Sequence, residues 1–206
     1  LDEILPRWGV ESVFVPGGDL DAWAQALSVP ATAVFFETPS NPMLSLVDVA
    51  AVSELAHGAG ASVVVDNVFG TPVLSRPLEH GADVVVYSAT KHIDGQGRAL
   101  GGVILGSRDF VDGPVKHLMR NTGPSMSAFN AWVMVKGLET LSLRVHAQTK
   151  STLELAQQLS EHERVRRVLH PWLASHPQHE LARYDQPDRR QLTAALDAPL
   201  DVSRPL

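Results

Sequence analysis

The chain has 206 residues, with 17 Lys+Arg against 23 Asp+Glu and a formal net charge of −6. That length suits one large domain, or one domain and part of another, and the acidic balance disfavours binding to nucleic acid or to an anionic membrane. The absence of cysteine excludes disulfides, cysteine–zinc sites and thiol catalysis. No apolar run approaches the ~20 residues that span a bilayer, so we expect a cytoplasmic protein.

The first half of the chain predicts strands that alternate with helices. Helices are predicted at residues 20–27 and 47–59, and buried strands at residues 31–36, 62–65 and 83–87. This alternation is typical of an α/β fold with a mostly parallel sheet flanked by helices.

The second half predicts a more helical region. The glycines between residues 95 and 102 let the chain turn and return as a strand at 103–105. Helices are predicted at 128–143 and 145–160. From about residue 184 the sequence has no sustained period, which is typical of a loop or of disorder.

Polar residues follow three of the predicted strands. Asn41 lies in the loop after the first strand, Asp66 closes the second, and Ser88, Thr90 and Lys91 follow the third. Ligands of parallel α/β sheets bind just beyond the carboxyl ends of the strands, so we expect these side chains to converge on one crevice. A lysine, a carboxylate and two hydroxyls suit a cofactor with an aldehyde, a ring nitrogen and a phosphate. Pyridoxal 5'-phosphate (PLP) has all three groups.

Each of these residues would then have its own role. Lys91 would form the Schiff base with the cofactor and shuttle a proton. Asp66 would keep the pyridine nitrogen protonated, because an ion pair at about 4 Å is worth roughly 4 kcal/mol at an effective dielectric constant of about 20. Ser88 and Thr90 would donate hydrogen bonds to the phosphate. Taken singly, each residue also fits a structural role, as a turn cap or a solvated side chain.

Three motifs in this order carry a family resemblance that extends over residues 1–182. They are ETPSNP at 37–42, VDN at 65–67 and YSATK at 87–91. Together they resemble the Cys/Met-metabolism family of PLP-dependent enzymes, which includes cystathionine γ-synthases, cystathionine and methionine γ-lyases, and homoserine-ester sulfhydrylases.

The resemblance implies the large domain of a fold-type-I PLP transferase, truncated at both ends. Residues 1–144 would be part of the PLP-binding domain, and residues 145–206 the start of the C-terminal domain. The family pattern also implies a small amino-acid substrate and a homotetramer whose active sites are shared between chains.

By position in the motifs, the resemblance assigns the same roles to the site residues. Lys91 is the Schiff-base lysine, Asp66 the pyridinium partner, and Ser88 and Thr90 the phosphate ligands. Asn41 matches an asparagine near the cofactor ring oxygen and the substrate carboxylate.

Two further motifs, HIDGQGR at 92–98 and RNTGP at 120–124, most resemble the O-succinylhomoserine sulfhydrylase branch. The implied reaction is a γ-replacement in methionine biosynthesis (trans-sulfuration), in which succinate leaves O-succinylhomoserine and sulfide adds to give homocysteine. The family's N-terminal arm does not precede Leu1, and the likeness ends near residue 183, so we expect this chain alone to be inactive. A cystathionine γ-synthase or γ-lyase reaction and a non-catalytic remnant stay open as alternatives.

Two rival interpretations come from other classes of protein. Tyr87 and Lys91 have the Tyr-x-x-x-Lys spacing of NAD(P)-dependent short-chain dehydrogenases, but that pair requires a helix and Tyr87 ends a predicted strand. His170, His176 and His179 could bind a metal, but prolines interrupt their spacing. Solvated loop histidines are favoured, and no metal is predicted.

Overall fold

The computed structural model describes residues 3–184, in which four strands form one sheet in the order β1-β2-β3-β4. The strands are β1 (Ala33–Glu37), β2 (Ser62–Asp66), β3 (Val84–Ser88) and β4 (Gly102–Gly106). Strands β1, β2 and β3 are parallel, and β4 runs antiparallel to β3. The predicted mostly parallel sheet is therefore confirmed, and each strand lies within about two residues of its predicted bounds.

Helices flank this sheet and continue beyond it. They are α1 (Leu20–Ala26), α2 (Val49–Gly58), α3 (Thr71–Leu74), α4 (Arg108–Phe110), α5 (Lys116–Thr122), α6 (Ala128–Leu138), α7 (Leu141–Ser160) and α8 (His179–Tyr184). A π-helical turn, Val111–Val115, joins α4 to α5, and 3-10 turns lie at Leu5–Trp8 and Pro77–His80. Within residues 3–184, no helix combines the length and apolar character needed to cross a bilayer.

Helices α1 and α2 each begin after an aspartate cap. The Asp19 carboxylate accepts a hydrogen bond from the Ala22 N–H at 3.0 Å, and Asp48 accepts one from Ala51 at 2.9 Å. Such bonds satisfy N–H groups that the first helical turn leaves without a partner. The two helices that cover the sheet thus have their starts set by local sequence.

The two faces of the sheet have different environments. We call one the closed face; its side chains are Val34, Phe36, Val63, Val65, Val85 and Tyr87, each at most 7% exposed. Residues of α1, α2 and α6 belong to the same core, and the Trp23 ring meets Phe36 edge-on at 6.0 Å. We call the other the open face; by strand register it carries Phe35, Val64, Asp66, Val84, Val86, Ser88 and Ile104, of which Val84 is 6% exposed. Phe35 is 59% and Ile104 46% exposed.

The boundary between α6 and α7 differs from the prediction. The sequence predicts a break near residue 144, whereas the helices separate at residues 139–140. A Cβ on Gly137 would overlap the backbone carbonyl of Ile93, so α6 packs directly against another segment just before it ends. The predicted domain boundary at 144/145 falls inside α7 and stays a prediction. The predicted irregular tail from about residue 184 lies outside the described residues.

Candidate active site

The strand register places Asp66 and Ser88 on the open face. Asp66 pairs with Glu37 on one side and with Val86 on the other. Ser88 lies two residues beyond Val86 in β3, so its side chain points to the same face as Asp66. Its antiparallel partner is Gly102, which has no side chain to cover the hydroxyl. Both Asp66 and Ser88 are half-buried.

The Asp66 carboxylate closes the turn that follows β2. Its Oδ1 accepts a hydrogen bond from the Val68 N–H at 3.0 Å, which is the turn role that the sequence analysis allowed for this residue. No other hydrogen bond reaches the carboxylate from residues 3–184. The second oxygen therefore remains able to accept a donor from a ligand.

A tight turn follows β3 and carries Lys91. The Lys91 N–H donates to the Ser88 carbonyl at 3.1 Å, and the lysine itself is exposed. The Thr90 hydroxyl accepts from the Gly101 N–H at 3.1 Å and lies 3.4 Å from the Gly101 carbonyl. Thr90 thus closes the base of the loop at residues 91–100, and its hydroxyl hydrogen makes only the long bond to the Gly101 carbonyl.

Asn41 lies in the loop after β1. Its backbone N–H donates to the Glu37 carboxylate at 2.9 Å, and its side chain is exposed. The loop closes where the Val47 N–H donates to the Thr38 hydroxyl at 3.1 Å. No side-chain hydrogen bond within residues 3–184 joins Asn41 to Asp66, Ser88 or Lys91, so the joint binding of one ligand by these residues stays a prediction.

Asn67 is a buried residue that the sequence analysis did not single out. Its side chain is 0% exposed, and Nδ2 lies 2.9 Å from the Ser75 carbonyl and 3.0 Å from the Tyr87 hydroxyl. These contacts join the ends of β2 and β3 directly behind Asp66 and Ser88. An asparagine directly after a buried strand was the available signal, but its partners are distant in sequence.

The position of Tyr87 argues against the short-chain dehydrogenase interpretation. Tyr87 lies in β3 rather than on a helix, and its side chain is on the closed face. Burial raises the pKa of the Tyr87 phenol, against a weaker opposite effect of the Asn67 hydrogen bond. A dehydrogenase needs a tyrosine whose pKa is lowered by the nearby lysine, so this alternative is wrong.

A second group of residues braces the loop that follows Lys91. Asp94 is 1% exposed and accepts hydrogen bonds from the Arg98 backbone N–H at 2.7 Å and from Arg98 Nε at 2.9 Å. The backbone hydrogen bond from Arg98 is the main cause that lowers the pKa of Asp94, despite the opposing effect of desolvation. The loop is therefore held by an ionised internal carboxylate.

The segment after α7 is also fixed to the rest of the molecule. Gln178 donates from Nε2 to the Leu46 carbonyl at 2.5 Å and accepts from the Leu46 N–H at 2.7 Å. This pair resembles one rung of a β-ladder and holds the end of the loop that contains Asn41. A cavity of about 700 Å³ lies beside it, and the residues lining that cavity include none of the five predicted site residues.

The histidines of this segment differ from the prediction. His170 and His176 are 8% and 6% exposed, so they are not solvated loop residues. Each Nδ1 accepts the N–H two residues ahead, from Trp172 at 3.2 Å and from Gln178 at 3.1 Å. Within residues 3–184 no cluster of three metal-ligating side chains occurs. These histidines are turn caps that pack into the fold.

Comparison with known proteins agrees with the motifs at the strand ends. A family model for Cys/Met metabolism PLP-dependent enzymes matches residues 1–194. The O-succinylhomoserine sulfhydrylase of Mycobacterium tuberculosis is 62% identical over 203 residues, which cover 98% of this chain and 50% of that protein. The O-succinylhomoserine sulfhydrylase of Pseudomonas aeruginosa is 50% identical over 186 residues, covering 90% of this chain and 46% of that protein.

A solved structure has the same fold. The crystal structure of a cystathione gamma lyase from Micromonospora echinospora superposes with a TM-score of 0.87 at 38% identity, covering 90% of this chain and 50% of that one. This chain spans about half the length of the relatives it matches. It belongs to the Cys/Met metabolism family of PLP-dependent enzymes.

Proposed function

We propose that this chain supplies the cofactor-binding core of an enzyme that converts O-succinylhomoserine and sulfide to homocysteine. The observation that carries the reaction is the identity to two O-succinylhomoserine sulfhydrylases, 62% and 50%, against 38% to the cystathione gamma lyase. A γ-lyase or γ-synthase reaction is the second candidate, because the fold match to that lyase has a TM-score of 0.87.

The side chains present fit PLP. A carboxylate and a hydroxyl share the open face, with one carboxylate oxygen of Asp66 and the hydroxyl of Ser88 able to bond a ligand. Lys91 follows on an exposed turn. Anion, donor and amine are the three functions that the ring nitrogen, the phosphate and the aldehyde require.

Each site residue of this chain would then have a distinct role. Lys91 would attach the cofactor through Nζ and move the proton of the substrate α-carbon. Asp66 would hold a proton on the ring nitrogen. Ser88 and Thr90 would donate to the phosphate, and Asn41 would orient the ring oxygen and the substrate carboxylate. When bound, PLP supplies an electron sink for negative charge at the α-carbon.

The cofactor is tested on the purified chain. Incubation with PLP should produce an absorbance band near about 420 nm, and borohydride should fix the cofactor to Lys91, located by peptide mass spectrometry. Lys91→Ala should remove both signals, whereas Lys116→Ala, at another exposed lysine, should keep them. Fixation at a different lysine would refute the assignment.

The affinity and electronic roles separate in two further variants. Ser88→Ala should weaken PLP binding by about 1–3 kcal/mol, the usual effect of leaving a charged partner short of one hydrogen bond. Asp66→Asn should bind PLP with similar affinity yet lose the protonated ring, visible as a changed pH dependence of the band. If excess PLP restored the absorbance band of the unsubstituted chain in Asp66→Asn but not in Ser88→Ala, the two roles would be reversed.

The reaction is tested in a chimera. The matched half of the M. tuberculosis sulfhydrylase is replaced by residues 1–183 of this chain, and products from O-succinylhomoserine are measured with sulfide and with cysteine. Homocysteine from sulfide supports the proposal, and predominant cystathionine from cysteine supports the second candidate. Lys91→Ala in the same chimera is the control that shows that this segment carries the chemistry.

A further inference from the structure

The loop that follows Lys91 is held from outside by a helix. Arg144 lies in the first turn of α7, and its Nη2 donates to the His92 carbonyl at 2.9 Å and to the Gly137 carbonyl at 2.9 Å. Its Nε donates to the Thr140 hydroxyl at 3.1 Å. One guanidinium thus joins the residue directly after Lys91 to the end of α6 and the start of α7.

The position of this cation is unfavourable for the helix itself. The first turn of a helix carries the positive end of the macrodipole, where a cation is disfavoured. Arg144 Nη1 is moreover buried without a hydrogen-bond partner among the described residues. Neither feature stabilises α7, so the gain from this arginine lies in its hydrogen bonds to the His92 carbonyl of the loop and to Gly137 and Thr140 at the α6–α7 junction.

The loop backbone is shaped around the guanidinium. Gly95 has a φ of +73°, and a Cβ there would overlap Arg144. The Gly95 N–H donates to the Lys91 carbonyl at 2.7 Å, and the Asp94 N–H donates to the Ala89 carbonyl at 2.9 Å. The turn that holds Lys91 therefore closes on one side through these bonds and on the other through Arg144.

We propose that Arg144 is a positioning residue for Lys91, acting through the His92 carbonyl and the Lys91–Gly95 turn. A planar guanidinium can bond two carbonyls and a hydroxyl at once, which a lysine ammonium cannot do in the same geometry. The proposal rests on the proposed function, because it takes Lys91 as the residue that attaches the cofactor. It concerns how this chain holds that amine in place and needs no substrate.

Two glycines of the loop provide a matched test. Gly97 has a φ of +69°, close to that of Gly95, but a Cβ on Gly97 would meet nothing within 4 Å. Gly95→Ala and Gly97→Ala therefore impose a similar backbone strain, and only the first pushes on Arg144. An effect that Gly95→Ala shares with Arg144→Lys, and that Gly97→Ala lacks, reports the displacement of the guanidinium.

Amide hydrogen exchange reports on the turn without any cofactor. In Gly95→Ala and in Arg144→Lys, the Asp94 amide should exchange about ten-fold faster or more, since hydrogen bonds from a charged donor are lost. Amides of β2 should keep their rates, and Gly97→Ala should change the Asp94 amide little. Equal acceleration in both glycine variants, or the same acceleration throughout β2, would overturn the proposal.

Borohydride fixation of PLP reports on Lys91 itself. At subsaturating PLP, the yield at Lys91 should fall in Gly95→Ala and Arg144→Lys but not in Gly97→Ala or in Arg76→Lys, an exposed arginine paired with Glu79. Unchanged yield beside faster exchange would refute the link to Lys91. Absence of fixation in the unsubstituted chain would instead refute the proposed function, while the exchange data would still decide whether Arg144 holds the turn.

Discussion

The closed and open faces of the sheet are built from the same three parallel strands, yet their side chains serve different ends. On the closed face, side chains such as Val63 and Val65 are 0% exposed and pack under α1 and α2. On the open face, Phe35 is 59% exposed, and the polar side chains of Asp66 and Ser88 end their strands after the apolar Val64 and Val86. The period of two along each strand lets one segment stabilise the fold with one set of residues and offer ligand groups with the other.

Two neighbouring phenylalanines in β1 test this difference between the faces, and the expected effect is the largest of those predicted here. Phe36→Ala should lower the free energy of unfolding by about 3–5 kcal/mol, because it removes a buried ring in contact with Trp23. Phe35→Ala, one residue earlier on the open face, should change it by less than about 1 kcal/mol. Urea unfolding of both variants measures the difference. Similar losses would show that the open face is covered by something that stabilises the chain.

Asn67 tests the connection between the ends of β2 and β3 on the closed face. Asn67→Ala should cost about 1–3 kcal/mol, since it leaves the buried Tyr87 hydroxyl short of a partner. Tyr87→Phe in the same background removes that unpaired hydroxyl, so the double variant should lose less than the sum of the single ones. Chemical unfolding of all four proteins measures the coupling. Simple additivity would mean that the Asn67–Tyr87 contact does not join the strands.

Local patterns predicted the elements that depend on local physics. The strands follow from short apolar runs bounded by turn residues. Asp19 and Asp48 cap α1 and α2 from within the local sequence, although the predicted start of α2 at residue 47 lies before its cap. The positions of Asp66 and Ser88 at strand ends likewise predicted that these two residues share a face of the sheet, whereas the convergence of Asn41, Thr90 and Lys91 with them stays a prediction. Asp66 and Ser88 required only the period of two and the parallel pairing.

Long-range contacts could not be predicted in the same way. Arg144 and His92 are 52 positions apart, and Gln178 and Leu46 are 132 apart. The α6–α7 break depends on how closely Gly137 approaches another backbone, which no helical period records. His170 was predicted to be a solvated loop histidine because prolines interrupt the spacing of a metal site, but its burial depends on what packs over it.

Gln178 tests how the loop that contains Asn41 is anchored. Gln178→Ala should lower the free energy of unfolding by about 1–2 kcal/mol, since two neutral hydrogen bonds to Leu46 are lost. The Leu46 amide should exchange faster, while amides of β2 remain protected. Gln157→Ala, at an exposed position in α7, is the control and should have little effect. Unchanged Leu46 exchange would show that the loop with Asn41 is held by other contacts.

The smallest effect should be a pH dependence of stability that comes from buried histidines. Burial lowers the pKa of His170, with a further contribution from His176, and burial together with the charges of Arg167 and His179 lowers the pKa of His176. An unfolded histidine binds a proton near pH about 6.5. Between that value and the lower pKa of the folded state, the unfolded chain binds more protons, so the free energy of unfolding should fall as the pH drops below about 6.5. Carboxylates with a lowered pKa, such as Asp94, act only near and below their ordinary value of 3.8 and do not contribute in this window.

Asparagine replacements separate titration from the turn that each histidine caps. An asparagine oxygen can accept the N–H two residues ahead, as the histidine Nδ1 does here, but it does not titrate. The double variant His170→Asn/His176→Asn should therefore keep most of its stability at pH 7.5 and lose part of the decline towards pH 5.5, measured by urea unfolding at each pH. His162 accepts the Arg164 N–H in the same turn geometry but is exposed, so His162→Asn should leave the decline in place. If His162→Asn reduced the decline in the free energy of unfolding as much as the double variant does, the pH dependence would come from histidines in this turn geometry and not from the buried environment of His170 and His176.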